Sequence, residues 1–151
     1  PNLVKDIYGR GHEIGCHSYY HRLIYNLSPE EFMKDTKKAK DVLEQITGRP
    51  VSGYRAPSYS IIKETLWALD ILEELGFKYD SSIFPIFHDR YGIFNSPRFR
   101  YKLPNNNLME YPITTSAFLG LKIPVSGGGY FRLLPYNLTR MFLGRIKQKE
   151  N

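Results

Sequence analysis

Residues 11–21, GHEIGCHSYYH, join a short apolar segment to two histidines that lie four residues apart. The segment 12–16 partly alternates polar and apolar side chains, which predicts a short β-strand. His17 and His21 follow it at a spacing that would place both imidazoles on one side of a helical turn, where they could share a metal ion. Zinc, cobalt, nickel or iron suits such ligands. Two structural or solvent-exposed histidines are the alternative, and a complete metal site would need a third ligand from elsewhere.

Helix and strand signals alternate around this stretch. Ser28-Pro29-Glu30-Glu31 supplies an N-cap, a first-turn proline and a capping-box glutamate for a long helix. Ser60 could cap another helix, which Gly76 would end. Alternation at this pitch predicts parallel strands joined by helices. The predicted order is helix at 1–10, strand at 12–16, helix from 28 to 48, strand at 51–54, helix from 60 to 76 and strand at 77–80.

Polar residues follow each predicted strand, and parallel sheets place their chemistry at the carboxyl ends of the strands. Arg55 could orient a carboxylate through a bidentate contact, although an ordinary turn with a surface arginine is the alternative that this segment alone favours. Pro57 could stiffen the turn and aim the next amide at a substrate oxygen. Asp80 could orient a histidine acid or cap the next turn.

The second half of the chain gives weaker signals. Prolines recur after residue 84, and only a strand at 109–113 and a helix at 134–146 are indicated. A glycine run at 127–129 could cradle a phosphate. No Lys-Ser/Thr pair follows it, and no strand–glycine–helix context is predicted there, so a bent loop is the favoured interpretation.

Composition narrows the class of protein. The chain has 151 residues, 21 Lys and Arg against 15 Asp and Glu, and one cysteine, so an intramolecular disulfide is excluded. No apolar run reaches membrane-spanning length. The net charge of +6 could attract nucleic acid, an anionic membrane or an acidic glycan, but no nucleic-acid-binding motif is present and a solvated surface is favoured. The chain starts at proline, so we expect it to continue upstream. Its location, cytoplasmic or at the cell envelope, stays open, and so does its oligomeric state.

Three segments together resemble the polysaccharide deacetylases of the NodB type, carbohydrate esterase family 4. Residues 11–21 look like the family's second motif, Tyr54-Arg55-Ala56-Pro57-Ser58 like its third, and Tyr79-Asp80-Ser81-Ser82 like its fourth, in the same order and spacing. The segments at 88–92 and 124–132 resemble a subfamily linked to bacterial exopolysaccharide biosynthesis. The resemblance covers nearly the whole chain, so residues 1–151 are interpreted as a partial deacetylase domain, a fragment of a distorted (β/α) barrel.

The resemblance implies a role for each matching residue. His17 and His21 would bind the metal ion, most simply zinc, and Arg55 would hold a catalytic aspartate. The Ser58 amide would stabilise an oxyanion, and Asp80 would pair with a general-acid histidine. The substrate would be an N-acetylated polysaccharide or oligosaccharide, and its contacts are expected from three further residues, His88, Arg90 and Tyr130.

Two family motifs have no counterpart in the sequence. An Asp-Asp pair, which would supply the base and the third metal ligand, is absent, and so is a final motif with the general-acid histidine. His12 lies at the wrong end of its predicted strand, and His88 is not assigned as the acid. We therefore expect this chain alone to be inactive. A glycan-binding module that has lost catalysis, and a metal hydrolase of small amides or cyclic amidines, are the alternatives.

Overall fold

A computed structural model describes residues 2–118 and 120–150. The first half confirms the predicted alternation of helices and strands, with strands shorter than expected. Its elements are α1 (Asn2–Gly9), α2 (Pro29–Thr47), β1 (Gly53–Tyr54), α3 (Trp67–Glu74) and β2 (Tyr79–Asp80).

A mostly parallel sheet organises the fold. The strands lie in the order β1-β2-β4-β3, where β3 is Tyr101–Lys102 and β4 is Met109–Glu110. β1 pairs in parallel with β2, and β2 with β4, whereas β3 is antiparallel to β4. The predicted strand at 12–16 is reduced to one parallel bridge, in which Cys16 N donates to Gly53 O at 2.8 Å and Arg55 N donates to Cys16 O at 3.0 Å. The segments 17–21, 55–58 and 80–82, which are predicted to carry function, therefore lie at the ends of neighbouring positions in the sheet.

The core forms where α2 and α3 pack against this sheet. Phe32 of α2 meets Tyr54 of β1 and Trp67 of α3 edge to face, with ring centroids 5.9 and 5.8 Å apart. Ser28 caps α2 as predicted: its Oγ accepts from Glu31 N, and the Glu31 carboxylate accepts from Ser28 N. These reciprocal bonds satisfy two amides that the first helical turn leaves without partners.

The predicted start of α3 at Ser60 is wrong. Ser60 Oγ donates to Pro57 O at 2.6 Å and accepts from Ile24 N at 3.0 Å, so its hydroxyl ties two loops together. A 3-10 turn at Lys63–Thr65 intervenes before the helix. A buried serine that bonds to a distant backbone cannot also cap its own helix.

The second half adds a hairpin and two helices. The hairpin joins β5 (Thr115–Phe118) to β6 (Leu121–Pro124), and α4 (Gly128–Leu133) and α5 (Tyr136–Glu150) follow. The helix predicted at 134–146 is confirmed as α5, whereas β3, β5, β6 and α4 were not predicted. A strand–glycine–helix sequence does exist here, contrary to expectation, because Gly127 (φ +98°) lies between β6 and the six-residue α4.

The architecture is mixed α/β. The main sheet of the described residues is open, so closure into a (β/α) barrel stays a prediction. No helix in residues 2–118 and 120–150 is both long and apolar enough to cross a bilayer.

Candidate functional site

The two predicted metal-binding histidines lie on an irregular loop. The expected helical turn at 17–21 is wrong, because Ser18 and His21 have positive φ values of 67° and 57°. The histidines are nevertheless adjacent: their ring centroids lie 5.0 Å apart with the rings nearly perpendicular. Both side chains are exposed, so a ligand can reach them.

Asp35 of α2 determines the shape of this loop. Its carboxylate, 4% exposed, accepts hydrogen bonds from Ser18 Oγ at 2.8 Å, Tyr19 N at 2.9 Å and Tyr20 N at 3.2 Å. His21 N in turn donates to Ser18 Oγ at 3.0 Å. A buried carboxylate that collects donors in this way holds the backbone in a conformation it would not adopt alone. Sequence reasoning missed Asp35; its position one turn after Phe32, on the apolar face of α2, is the signal that could have revealed it.

His17 is oriented for binding through one ring nitrogen. Its Nδ1 lies 2.6 Å from the carbonyl oxygen of Arg55, which can only accept, so Nδ1 carries the hydrogen. This contact leaves Nε2 as the ring nitrogen available to a ligand, as in metal sites where a backbone carbonyl fixes the histidine tautomer. His17 and His21 are therefore two residues that could bind a metal ion, and their role as zinc ligands stays a prediction. No cluster of three His, Cys, Asp or Glu residues suited to a metal ion occurs in the described part of the chain.

Arg55 links the ends of three strands. Its Nε donates to Ser81 O at 2.9 Å and its Nη2 to Ser81 Oγ at 2.6 Å. Ser81 Oγ donates onward to Tyr111 O at 2.7 Å. Ser58 follows in an exposed turn with φ of 50°, and Tyr59 has φ of 54°. The structure therefore brings His17, Arg55 and the Ser58 turn to one edge of the sheet, as the strand order predicted.

Asp80 is placed differently from the other predicted residues. Its side chain is fully buried, and its carboxylate accepts from Ser82 Oγ at 2.6 Å and from Ser82 N at 3.0 Å. Ser82 Oγ also accepts from Ala56 N at 2.8 Å. Asp80 therefore caps the turn after β2, which was the alternative role. Its pairing with a general-acid histidine stays a prediction.

Glu110 is a second buried carboxyl group that the sequence did not reveal. It is the register partner of Asp80 on β4 and is likewise fully buried. Its Oε1 accepts from Ile83 N at 3.1 Å, while its Oε2 is buried without a hydrogen-bond partner among the described residues. Burial, then the Asp80 charge, raise the pKa of Glu110 to about 10. Burial also raises the pKa of Asp80. Glu110 is thus a neutral acid at pH 7.

The predicted substrate contacts separate into two groups. His88 stacks on Tyr91 with ring centroids 3.8 Å apart, and Tyr91 Oη lies 3.4 Å from Tyr130 Oη. Tyr91 thereby joins His88 and Tyr130 in one aromatic cluster, which Phe84 and Tyr59 complete. Arg90 is outside it, with a side chain 79% exposed.

Two cavities meet at Arg55 and Ser81. The smaller, of about 420 Å³, is lined by His17 and Tyr79. The larger, of about 940 Å³, extends beside Tyr59 to the hairpin and α5. Together they form a groove along the carboxyl edge of the sheet, with His17 at one end.

Comparison with known proteins identifies the family of the chain. The family model described as polysaccharide deacetylase matches residues 1–79. The chain belongs to the polysaccharide deacetylase family. A second model, described as a domain of unknown function (DUF3473), matches residues 81–151, the part that holds His88, Arg90 and Tyr130.

Named relatives and a solved structure agree with membership of the deacetylase family. A peptidoglycan deacetylase-like protein of Gibberella zeae, FGM2, is 35% identical over 83 residues, which are 55% of this chain and 24% of that protein. The peptidoglycan-N-acetylglucosamine deacetylase of Bacillus cereus is 31% identical over 71 residues, 46% of this chain and 26% of that protein. A Mycobacterium smegmatis structure assigned as a polysaccharide deacetylase superposes with a TM-score of 0.61 at 25% identity, over 85% of this chain and 42% of that one. The chain spans about a quarter of the curated relatives' length.

Proposed function

We propose that this chain forms part of a metal-dependent hydrolase that removes N-acetyl groups from a polysaccharide in bacterial exopolysaccharide or cell-wall metabolism. The observation that carries the proposal is the hydrogen bond from His17 Nδ1 to the carbonyl oxygen of Arg55. That bond joins the histidine segment to the arginine segment and leaves Nε2 of His17 available to a ligand. The names of the relatives, which specify peptidoglycan deacetylases, support an acetylated glycan as substrate.

The metal would be held by His17 and His21, with a third ligand from outside this sequence. Zinc is the first choice, because two neutral imidazoles suit it, and cobalt, nickel or iron would also be accepted. When bound, such an ion polarises an acetamide carbonyl and activates water. The open sheet would be one segment of a distorted (β/α) barrel.

The remaining site residues would position the reaction. Arg55 has both Nε and Nη2 committed to Ser81, so its guanidinium is held rigidly at the groove and could orient a carboxylate base. The Ser58 amide would donate to the oxyanion that forms when water adds to the acetyl carbon. The C–N bond then breaks, the sugar amine takes a proton, and acetate leaves. Asp80 would act indirectly, by stabilising the turn that carries Ser81 and Ser82.

The test is acetate release from chitotetraose in the presence of zinc. We would compare this chain with the longest open reading frame that contains it, and then introduce His17→Ala and His21→Ala into the active form. Both variants should lose more than about 100-fold in kcat/KM, because each removes a metal ligand. His12→Ala, at an exposed histidine in the same segment, is the matched control and should retain activity.

The alternatives give different results. Chitotetraose binding without acetate release from any form would indicate a glycan-binding module. Turnover of small amides or cyclic amidines with no release from chitotetraose would indicate the other class of metal hydrolase. Full activity of both histidine variants would disprove the proposed site.

A further inference from the structure

The larger cavity carries an unbalanced positive charge. Its walls include three arginines, together with aromatic and small polar side chains, and no aspartate or glutamate. The lining residues that matter here are Arg55, Tyr59, Arg98, Arg100, Tyr111 and Ser126. A recess lined by arginines and without a carboxylate favours an anionic ligand.

Arg98 is fixed in place by contacts to neutral groups. Its Nε donates to Thr115 Oγ1 at 3.2 Å and its Nη2 donates to Thr115 O. The guanidinium also lies 5.3 Å from the centre of the Phe99 ring. These contacts hold the guanidinium against the buried start of β5 without neutralising its charge.

Lys122 adds a further cation behind Arg98. Its ammonium donates to the carbonyl oxygens of Phe94 and Ser96. Burial, and then the nearby Arg98, lower the pKa of Lys122. The positive charge of Arg98 therefore acts on the Lys122 ammonium. Within residues 2–118 and 120–150, no ion pair involves Lys122 or the three cavity arginines.

Electrostatics favour a bound anion in this arrangement. Like charges that share a partly enclosed space repel more strongly than they would in bulk water, and an anion among them relieves that repulsion. A guanidinium binds a carboxylate through two parallel hydrogen bonds, and the free donors of Arg98 and Arg100 are available for such contacts. Tyr59 and Tyr111 offer rings and hydroxyls along the same wall, which suits a sugar.

We propose that this cavity binds an acidic glycan, so that the N-acetylated substrate also carries carboxylates on neighbouring sugars, as in a chain that contains uronic acids. This inference rests on the proposed deacetylase function and specifies its substrate class. The sugar to be deacetylated would lie at the His17 end of the groove, and a carboxylate-bearing neighbour would lie beside Arg98 and Arg100.

Three tetrasaccharides test the charge requirement by calorimetry. A hyaluronan tetrasaccharide alternates N-acetylglucosamine with glucuronate, its methyl ester has the same sugars without the charge, and chitotetraose is neutral. We expect the acid to bind at least about tenfold more tightly than its ester or chitotetraose, and this preference to shrink between 50 and 500 mM salt.

Substitutions then show which arginines cause the preference for the acidic tetrasaccharide. Arg100→Gln should remove most of the preference, and Arg98→Gln should do the same. Since Arg98 also supports Thr115, the Arg100 variant keeps the test valid if the other fails to fold. Arg132→Gln changes the net charge equally at an exposed arginine of α4, and should leave the preference intact.

Equal affinity for the acid and its ester would overturn the inference, and so would an equal loss of preference in the Arg132 and Arg100 variants. Acetate release from chitotetraose separates the two proposals. If it persists while the acid is not preferred, only the acidic-substrate inference fails. If no acetylated glycan is ever hydrolysed, the proposed function fails.

Discussion

At the scale of single residues, Glu110 is a carboxyl group that has no contact with solvent. The charged and titratable groups that face it are Asp80 on β2, Tyr101 on β3 and Arg55 after β1. The Ile83 amide and Arg55 favour ionisation, but their effects are smaller than those of burial and Asp80, which oppose it. The carboxyl therefore keeps its proton, and one neutral acid lies beside the carboxylate that caps the turn after β2.

Stability should fall with rising pH because of Glu110. Its folded pKa of about 10 lies above the ordinary value of 4.5, so the folded chain keeps a proton that the unfolded chain releases. The free energy of unfolding should therefore decline between pH 5 and 10, by at most about 1.4 kcal/mol per pH unit from this group. Glu110→Gln, neutral at every pH, should flatten the curve, so that the stability of the variant relative to the wild type rises from pH 5 to pH 9. Urea denaturation at several pH values measures this. If the free energy of unfolding changed with pH in parallel for the wild type and Glu110→Gln, the prediction would be wrong. Glu64→Gln, at an exposed glutamate, is the control.

Asp35 should control the conformation of the loop that carries His17 and His21. In Asp35→Asn an NH₂ group replaces one acceptor, so at least one donor among Ser18, Tyr19 and Tyr20 loses its bond. We expect a loss of about 1–3 kcal/mol of stability and a reduction of about 10-fold or more in zinc affinity, since the carboxylate orients both ligands indirectly. Calorimetric zinc titration checks this. Asp41→Asn, at an exposed position of the same helix, should change neither. An unchanged zinc affinity would show that the loop keeps its shape without Asp35.

The site residues divide by whether the sequence could reveal them. His17 and Arg55 follow predicted strands, and parallel order brings strand ends together, so their proximity was predictable. Asp35 and Glu110 act through partners 15 and 27 positions away in the sequence. Their roles depend on tertiary packing, so local pattern alone cannot assign them.

At the scale of elements, α2 is the part that the sequence predicted best. Its start depends on local chemistry, the reciprocal bonds between Ser28 and Glu31. The hairpin β5–β6 was missed although Gly120, with φ of +78°, lies between its strands. α4 begins at a glycine, which gives little helical preference of its own. The strands of the main sheet have two residues each, too few for a periodic pattern to define their ends.

Ser28→Ala should destabilise the chain by about 1 kcal/mol, because Glu31 N loses its acceptor at the start of α2. Ser28→Asp supplies another acceptor at the same place and should restore most of that loss. Thermal denaturation followed by circular dichroism distinguishes the three proteins. Equal destabilisation by both substitutions would mean that the cap contributes little and that the side-chain volume matters instead.

At the scale of the whole molecule, the groove is assembled from both family segments. The histidine loop and Arg55 lie in the part that matches the deacetylase model, and Arg98 and the hairpin lie in the part that matches the second model. Arg55 lines both cavities, so a substrate that reaches the histidines would pass Arg55 and extend toward Arg98. The second segment would therefore contribute to substrate choice, and the first to the chemistry.

This division predicts how the chain should bind zinc. Two histidine ligands should give binding well short of the roughly 10 kcal/mol that complete structural zinc sites reach, and His17→Ala should remove it. Arg98 and Arg100 lie at the other end of the groove, so Arg100→Gln should leave zinc affinity unchanged while it alters glycan binding. Titration with zinc in a competing-chelator assay measures the first effect, and calorimetry with the hyaluronan tetrasaccharide measures the second. Loss of zinc binding in Arg100→Gln would show that the two ends of the groove are coupled, and the assignment of chemistry to one segment and substrate choice to the other would then be wrong.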